Sequence, residues 1–241
     1  MIIETELDRL MIVSDLHVGN PFSWASRRFG RFLEMASRQR CSVCINGDGL
    51  EILQTSFANL ANDTVRIIDR IRRLVDTGVS VYYVVGNHDI VLEHYLESWS
   101  EIRICPFLNV KSGGRRIRVE HGHLYDPFYV KHPALYDTLT RAAGPLLHLY
   151  PDVYRVWSSY QRVKDRFGRR GQEEQRSVYH EAAEMLLKRG FDGVVFGHTH
   201  KAEVVELSPG KLYVNSGNWM RGSPYVEICD GKLSLERFEL E

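Results

Sequence analysis

Five short motifs of polar and small residues constrain this sequence most, because each one comes just after a predicted strand. Short apolar runs alternate with amphipathic stretches through the first two-fifths of the chain, a pattern typical of β–α–β units in a layered fold. Ligands of open α/β sheets bind at the carboxyl ends of the strands. We therefore expect the motifs to meet at one edge of the fold: Asp15-Leu16-His17, Gly47-Asp48, Gly86-Asn87-His88-Asp89, His121-Gly122-His123 and Gly197-His198-Thr199-His200.

The spacing of apolar residues predicts the elements around these motifs. Apolar side chains recur at helical spacing in residues 22–39 and 60–76. Residues 133–188 are helical in pattern as well, and glycine and proline divide them into three or four helices. The predicted strands are 10–14, 42–45, 79–85, 102–110, 116–120, 193–196, 202–207, 211–214, 225–228 and 233–238.

The predicted fold class is α/β, in the form of an α+β sandwich. Two facing mixed β-sheets are expected to be flanked by helices, with a helical cap insertion. A chain of 241 residues can bury a full core as one domain of ordinary size. Residues 1–123 and 181–241 are expected to form that core, and residues 124–180 the cap within the same domain.

Charge and hydropathy narrow the functions that fit this sequence. The 31 basic and 31 acidic residues balance, so no global field attracts nucleic acid, which is not an expected partner. No stretch reaches the roughly 18 apolar residues that a membrane-spanning helix needs, and the acidic N-terminus is unlike a signal peptide. A cytoplasmic protein is expected, and peripheral contact with the inner membrane stays open.

The four cysteines are too few for a disulfide framework in a chain of this length. Two of them, Cys41 and Cys44, form a C-x-x-C pair, a spacing that also occurs in redox and zinc sites. Their apolar surroundings predict a buried strand instead.

The residue types in the five motifs are those that bind divalent cations. Asp, Asn and His offer oxygen and imidazole ligands suited to manganese, iron or zinc. In Asp15/His17 and His198/His200 the i,i+2 spacing in an extended chain brings both side chains to one side. A single histidine is more often structural than a ligand, so each motif alone is weak evidence. Five motifs in this arrangement favour a metal centre.

The series D-x-H, G-D, G-N-H-[DE], H and G-H-x-H resembles, in this order, the signature of the calcineurin-like metallophosphoesterases over nearly the whole chain. The resemblance implies two divalent metal ions, with manganese expected and iron or zinc as alternatives. One ion would be held by Asp15, His17, Asp48 and His200, and the other by Asp48, Asn87, His121 and His198.

Hydrolysis of a phosphate ester or anhydride by a metal-activated water follows from this resemblance. His88 is similar to the family's catalytic histidine, which would stabilise the transition state or protonate the leaving oxygen, with Asp89 as its orienting partner. A structural role for His88 is the alternative. His123 could contact substrate or anchor its loop, and Glu51 is expected to accept a hydrogen bond rather than bind metal.

The aromatic segment between the last two motifs is predicted to cap the site, with Tyr125, Tyr154 and Trp157 as substrate contacts. Its position is similar to the cap of the UDP-2,3-diacylglucosamine pyrophosphatase group. That likeness implies a lipid-linked nucleotide substrate, cleaved to a lipid monophosphate and UMP in lipid A synthesis. Many members of that group have arginine where His88 stands and aspartate where His123 stands. The cap aromatics could equally pack on one another.

Two other functions stay open from the sequence. A related metallophosphoesterase would act on a soluble nucleotide, nucleic acid or phosphoprotein, because fold and signature do not select a substrate. A non-catalytic scaffold of the same fold would bind partners, although the complete set of ligand residues argues against it. The basic stretch 162–170 is either a solvated loop or a contact with an anionic membrane.

Overall fold

The protein is represented by a computed structural model that describes residues 2–20, 23, 25–52, 57–95, 102–136, 138–140, 169–220 and 222–239. The strands in these ranges are β1 Ile2–Glu6, β2 Arg9–Val13, β3 Ser42–Asn46, β4 Val81–Val84, β5 Ile102–Cys105, β6 Phe107–Ser112, β7 Arg115–Val119, β8 Gly193–Phe196, β9 Glu203–Ser208, β10 Lys211–Asn215, β11 Pro224–Cys229 and β12 Lys232–Arg237. The α-helices are α1 Ala25–Arg38, α2 Phe57–Val75, α3 Pro127–Lys131 and α4 Arg169–Lys188, with 3-10 turns at Ile90–Tyr95 and His123–Tyr125.

Two six-stranded mixed sheets form the centre of the fold. The first has the strand order β1-β6-β7-β8-β10-β9, and the second has the order β12-β11-β2-β3-β4-β5. Strands β2, β3, β4 and β5 run parallel to one another, as do β7, β8 and β10. The predicted sandwich of two mixed sheets with flanking helices is therefore confirmed.

Three apolar clusters hold the layers together. The two sheets face each other across fully buried side chains such as Ile12 and Val195. Helices α1 and α2 cover the outer face of the second sheet through residues such as Phe32 and Ile71. Helix α4 covers the outer face of the first sheet, where Ala183 is fully buried. The order of layers is helix, sheet, sheet, helix, so central strands such as β3, β4 and β8 are buried on both faces.

The first departure from the predicted strands lies at Pro106. The single strand expected over 102–110 is two strands: β5 pairs with β4 in one sheet, and β6 pairs with β1 and β7 in the other. Proline has no N–H to donate to a ladder, so it suits the point where the chain passes between sheets. Strand β1 was not predicted, because its alternating exposed and half-buried residues carry a weak apolar signal.

The C-x-x-C pair is structural, as its apolar surroundings predict. Cys41 and Cys44 are both buried free thiols. Cys44 points from β3 into the core between the sheets, while Cys41 packs on the helical side. Burial raises the pKa of the Cys41 thiol to about 11, so the reactive thiolate is scarce at neutral pH.

The described ends of the predicted cap are both helical. Helix α3 opens the segment, and α4 closes it and continues past the expected boundary at residue 180 as far as Lys188. Tyr179 already packs in the core cluster under the first sheet, so the core layer begins before residue 181. Residues 141–168 lie outside the described ranges, and the cap they were assigned to stays a prediction. No helix among the described residues combines the length and apolarity that a membrane span needs.

Candidate metal centre

The five motifs follow the strands to which the sequence analysis assigned them. Asp15, Asp48 and Asn87 come just after the parallel neighbours β2, β3 and β4, and His121 and His198 come after β7 and β8 of the facing sheet. Parallel strands end at the same edge, so the two sheets bring their motifs together. Three groups have ligand atoms within 4.8 Å of one another: Asp15/His17/His200, His17/Asp48/His88 and Asp48/His121/His198.

The backbone is strained at these positions. Among the described residues other than glycine, seven have a positive φ, and five of them are predicted metal ligands. A non-glycine residue in the left-handed region costs about 1–3 kcal/mol and persists only where the surrounding structure enforces it. Such outliers cluster at functional sites. The five are Asp15 at 52°, His17 at 47°, Asp48 at 51°, His198 at 63° and His200 at 61°.

Two glycines allow the motifs to approach one another closely. A Cβ added to Gly86 would lie 2.3 Å from Asp48 Oδ1, and one added to Gly47 would lie 2.2 Å from His121 Nδ1. A Cβ at either position would therefore displace the Asp48 or the His121 side chain. Glycine at both positions therefore leaves room for the Asp48 carboxylate of the second sheet and the His121 imidazole of the first sheet.

Hydrogen bonds orient three of the histidines. His17 Nδ1 lies 2.9 Å from Glu51 Oε2, and His121 Nδ1 lies 2.8 Å from the carbonyl of Asn46. His198 instead uses Nε2, which lies 3.1 Å from a carboxylate oxygen of Asp126. Donation from one ring nitrogen leaves a lone pair on the other, which is how metal-binding histidines are held.

A buried atom without a partner lies where a ligand atom is needed. His17 Nε2 is buried and makes no hydrogen bond within the described residues. A buried polar atom without a partner is costly, and a bound cation would satisfy it. His200 Nε2 lies 3.0 Å from Asp15 Oδ1, and the His200 side chain is 42% exposed, so this end of the centre opens to solvent.

Asp48 lies at the middle of the centre. His121 Nε2 is 3.4 Å from Asp48 Oδ2 and 3.2 Å from Asn87 Oδ1, while the backbone N–H of His88 donates to Asp48 Oδ1 at 2.9 Å. Burial alone would raise the pKa of Asp48, but His121 and His88 outweigh it and hold that pKa well below its ordinary value. An ionised carboxylate shared by two groups of ligands fits adjacent cations.

Glu51, not Asp89, is the partner of His88. Glu51 Oε1 lies 2.8 Å from His88 Nδ1, whereas the Asp89 oxygens accept from the backbone N–H groups of Gly86 and Gly49 and from the Tyr83 hydroxyl. The prediction that Asp89 orients His88 is therefore wrong, because other donors bond to both Asp89 oxygens. Asp89 instead fixes the two loops that carry Asp48 and Asn87.

Electrostatics keep the His88 ring protonated in the metal-free protein. Burial lowers the pKa of His88, but the carboxylates of Asp48 and Glu51 outweigh it and raise that pKa to about 9. Burial would raise the pKa of Glu51, yet its bonds to His17 and His88 bring it down to about 2. Glu51 thus accepts from both histidines, as the sequence analysis expected of it.

His123 and Tyr125, which the sequence analysis named as possible substrate contacts, both pack against other side chains of the fold. His123 is 6% exposed, and its ring packs 5.1 Å from the Tyr129 ring. Burial and the neighbouring His121 and His198 lower its pKa to about 3. Tyr125 stacks on Phe196, and its hydroxyl donates to a Glu120 carboxylate oxygen at 3.0 Å. These contacts favour loop anchoring by His123 and packing by Tyr125. Tyr154 and Trp157 lie outside the described residues.

A family model for calcineurin-like phosphoesterases matches residues 8–202, a range that contains all five motifs. The chain belongs to the calcineurin-like phosphoesterase family. Members of this family use divalent metal ions, and the donor set described above fits such ions. This calcineurin-like phosphoesterase is accordingly a metal-dependent hydrolase of phosphoric ester or anhydride bonds.

Relatives of this phosphoesterase align along nearly the whole chain. The UDP-2,3-diacylglucosamine hydrolase of Porphyromonas gingivalis is 24% identical over 96% of this chain and 98% of its own. The protein of the same name from Stenotrophomonas maltophilia is 24% identical over 96% of this chain and 99% of its own. Among solved structures, a dimetal phosphatase from Danio rerio is 12% identical, covers 95% of each chain and has a TM-score of 0.46.

Sequence reasoning missed two contacts of this phosphoesterase centre, Asp126 and Tyr136. The carboxylate of Asp126 contacts His198, and the Tyr136 hydroxyl accepts a hydrogen bond from Asn87 Nδ2 at 3.0 Å. Asp126 carries a local signal, since an aspartate followed by proline is typical of a helix start. Tyr136 carries none, because nothing in its neighbourhood distinguishes it from the other aromatic residues of the segment.

Proposed function

We propose that this phosphoesterase hydrolyses the diphosphate of a UDP-linked acylated sugar similar to UDP-2,3-diacylglucosamine, releasing UMP and a lipid monophosphate in lipid A synthesis. The observation that carries the substrate class is an exposed apolar surface on the segment that contacts the metal centre. The names of the full-length relatives support the same substrate.

The proposed centre holds two divalent ions, with manganese expected. One set of ligands is Asp15, His17, Asp48 and His200, and the other is Asp48, Asn87, His121 and His198. Such ions would supply positive charge, which would polarise the phosphoryl group and lower the pKa of a water so that hydroxide is available as the nucleophile near neutral pH. The buried and unpartnered His17 Nε2 supports this assignment.

His88 is proposed to donate a proton to the leaving oxygen. Its Nδ1 is engaged by Glu51 at 2.8 Å, so Nε2–H is the donor left for a reacting group. The His88 side chain is only 12% exposed, which limits competition from solvent. General acid help of this kind accounts for about 10²- to 10⁴-fold in rate.

The apolar surface lies on the segment that follows His123. Of the ten large apolar side chains that are markedly exposed among the described residues, five belong to residues 124–139. A short segment that exposes several large apolar side chains is a candidate binding surface. An acyl chain buried there would contribute about 0.8 kcal/mol per methylene. The five are Leu124 at 49%, Phe128 at 44%, Val130 at 56%, Leu135 at 49% and Leu139 at 54% exposure.

The test compares UDP-2,3-diacylglucosamine with UDP-N-acetylglucosamine, which has the same diphosphate and no long acyl chains. With manganese present, UMP release from the acylated substrate and little from the other supports the proposal. Asp48→Ala is the inactive control. Release of UMP from neither substrate, with turnover of bis(p-nitrophenyl) phosphate intact, would reject the lipid substrate and keep the phosphoesterase.

A second candidate is hydrolysis of a soluble nucleotide or another small phosphodiester in the cytoplasm. The observation that favours it is His88, a histidine at the position where the lipid pyrophosphatase group often has arginine. Cyclic nucleotides and short single-stranded DNA in the same assay separate the candidates. Peripheral contact with the inner membrane accompanies the first candidate alone, and flotation with anionic vesicles measures it.

A further inference from the structure

One helical segment contacts two ligands of the same proposed metal. Asp126 Oδ2 lies 3.1 Å from His198 Nε2, and the Tyr136 hydroxyl lies 3.0 Å from Asn87 Nδ2. Tyr129 links the two contacts, because its backbone N–H donates to Asp126 Oδ1 at 3.3 Å and its ring packs 5.2 Å from the Tyr136 ring. Residues 123–136, termed here the cover segment, therefore rest on the metal centre at both ends.

Asp126 makes two different contacts with its two oxygens. Oδ1 accepts from the backbone N–H groups of Phe128 at 2.8 Å and Tyr129 at 3.3 Å, which caps α3. Oδ2 is left for His198, where it fixes Nε2 as the N–H and Nδ1 as the lone pair. The same carboxylate thus starts the helix and orients a ligand.

Tyr136 fixes the direction of an amide. Asn87 can offer either its oxygen or its NH₂ group to the centre, and only the oxygen binds a cation. Because Nδ2 donates to the Tyr136 hydroxyl, Oδ1 faces the centre, 3.2 Å from His121 Nε2. Without the hydroxyl, the amide would be free to turn.

We propose that Asp126 and Tyr136 are positioning residues that hold His198 and Asn87 for the metal, so that metal binding and folding of the cover segment stabilise each other. The inference rests on the proposed ligand roles of Asn87 and His198. Coupling of two equilibria is reciprocal. Metal occupancy would therefore also set the exposed apolar side chains of the cover segment, Phe128 and Val130 among them, in place for substrate.

Asp126→Ser and Tyr136→Phe test the first half of the coupling. Serine still caps a helix but is too short to reach His198, and phenylalanine loses only the hydroxyl. Titration with Co²⁺, followed by its absorption bands, should show about 10- to 100-fold weaker binding at one site in Asp126→Ser. Tyr136→Phe should weaken it about fivefold, as expected for one neutral hydrogen bond.

Two matched controls separate positioning from general damage. Glu203→Gln removes a carboxylate that lies 3.3 Å from His180 Nε2, a histidine outside the motifs. Tyr179→Phe removes a buried hydroxyl that makes no hydrogen bond within the described residues, although its ring lies 6.3 Å from that of His198. Both should bind Co²⁺ as the parent does.

Hydrogen exchange tests the second half. In the parent, metal should slow amide exchange at Phe128 and Tyr129; in Asp126→Ser that metal dependence should disappear. If both variants bind Co²⁺ as tightly as the parent, or if metal does not change the amide exchange rates of the parent, the proposed coupling is wrong. Asp48→Ala distinguishes failure of the coupling from failure of the proposed metal centre. If Asp48→Ala still binds two ions, the proposed metal centre is wrong. If Asp48→Ala loses the ions while Asp126→Ser and Tyr136→Phe bind them as the parent does, only the coupling is wrong.

Discussion

Glu51→Gln is the sharpest perturbation of this centre, because one carboxylate serves two histidines. Its oxygens lie 2.9 Å from His17 Nδ1 and 2.8 Å from His88 Nδ1, and the residue is 1% exposed. Glutamine has nearly the same shape but only one acceptor, and its NH₂ group cannot pair with a histidine N–H. At least one histidine must lose its partner or move its proton to the other nitrogen.

The size of the effect follows from the bond that is lost. A buried hydrogen bond to a charged group contributes about 1.5–3 kcal/mol, equivalent to about 10- to 150-fold in an equilibrium or a rate. If His17 moves its proton to Nε2, that nitrogen can no longer bind a cation, and metal affinity falls. If His88 loses its partner, kcat falls while metal affinity holds.

The assay measures Mn²⁺ affinity by calorimetry and kcat on bis(p-nitrophenyl) phosphate at saturating Mn²⁺. Glu120→Gln is the matched control, a 3% exposed carboxylate that accepts from Arg118 and Tyr125 outside the centre. It should lower the free energy of unfolding without changing metal affinity or kcat of the folded enzyme. Parent values of both quantities in Glu51→Gln would refute the role of Glu51 as a shared acceptor.

Further predictions concern the centre, its pH dependence and the apolar surface. The His88→Ala variant should retain the metal content of the parent, measured by plasma emission spectrometry. Its kcat should be about 10²- to 10⁴-fold lower. The pKa of His88 is about 9 in the metal-free fold against an ordinary 6.5. The protonated ring therefore contributes its full share to the free energy of unfolding below pH 6.5, and this contribution is lost as the pH rises to 9. Urea unfolding in EDTA should show that the free energy of unfolding falls by roughly 3 kcal/mol over this pH range, and the fall should be smaller in His88→Gln. Phe128→Ser should lower kcat/KM about 10- to 100-fold for acylated substrate only, while Val65→Ser, exposed on α2, should not. Trp157→Ala should behave like Phe128→Ser if the predicted cap contact is right.

The sequence predicts the centre better than it predicts the contacts around it. Residue types and strand ends are local features, so short motifs suffice to predict that Asp15, Asp48 and His198 lie in close groups with other motif residues. Partners are chosen by the direction of side chains across the fold. Asp89 is adjacent to His88 in sequence, yet the turn after β4 aims it at Gly86 N and Gly49 N. Instead, the His88 ring bonds to Glu51, which is 37 residues away in the sequence.

The same limit explains the errors in the strands. An apolar run such as 102–110 is read as one strand, and only the pairing partners reveal that Pro106 divides it between two sheets. Strand β1 is nowhere fully buried, so its existence depends on β6, a partner more than 100 residues away. Local pattern cannot supply that information.

Backbone hydrogen bonds that continue the ladders of the sheets beyond the strands hold the strained loops of the candidate metal centre. Asp15 N donates to the carbonyl of Gly47 at 3.1 Å, and His17 N donates to that of Asp48 at 2.9 Å. In the facing sheet, Gly197 N donates to the carbonyl of His121 at 3.0 Å. These bonds cross between neighbouring motifs, so a left-handed residue in one loop is held by the backbone of the next. The geometry for binding cations is therefore set by the strand order rather than by any single motif, which is why one motif alone predicts so little.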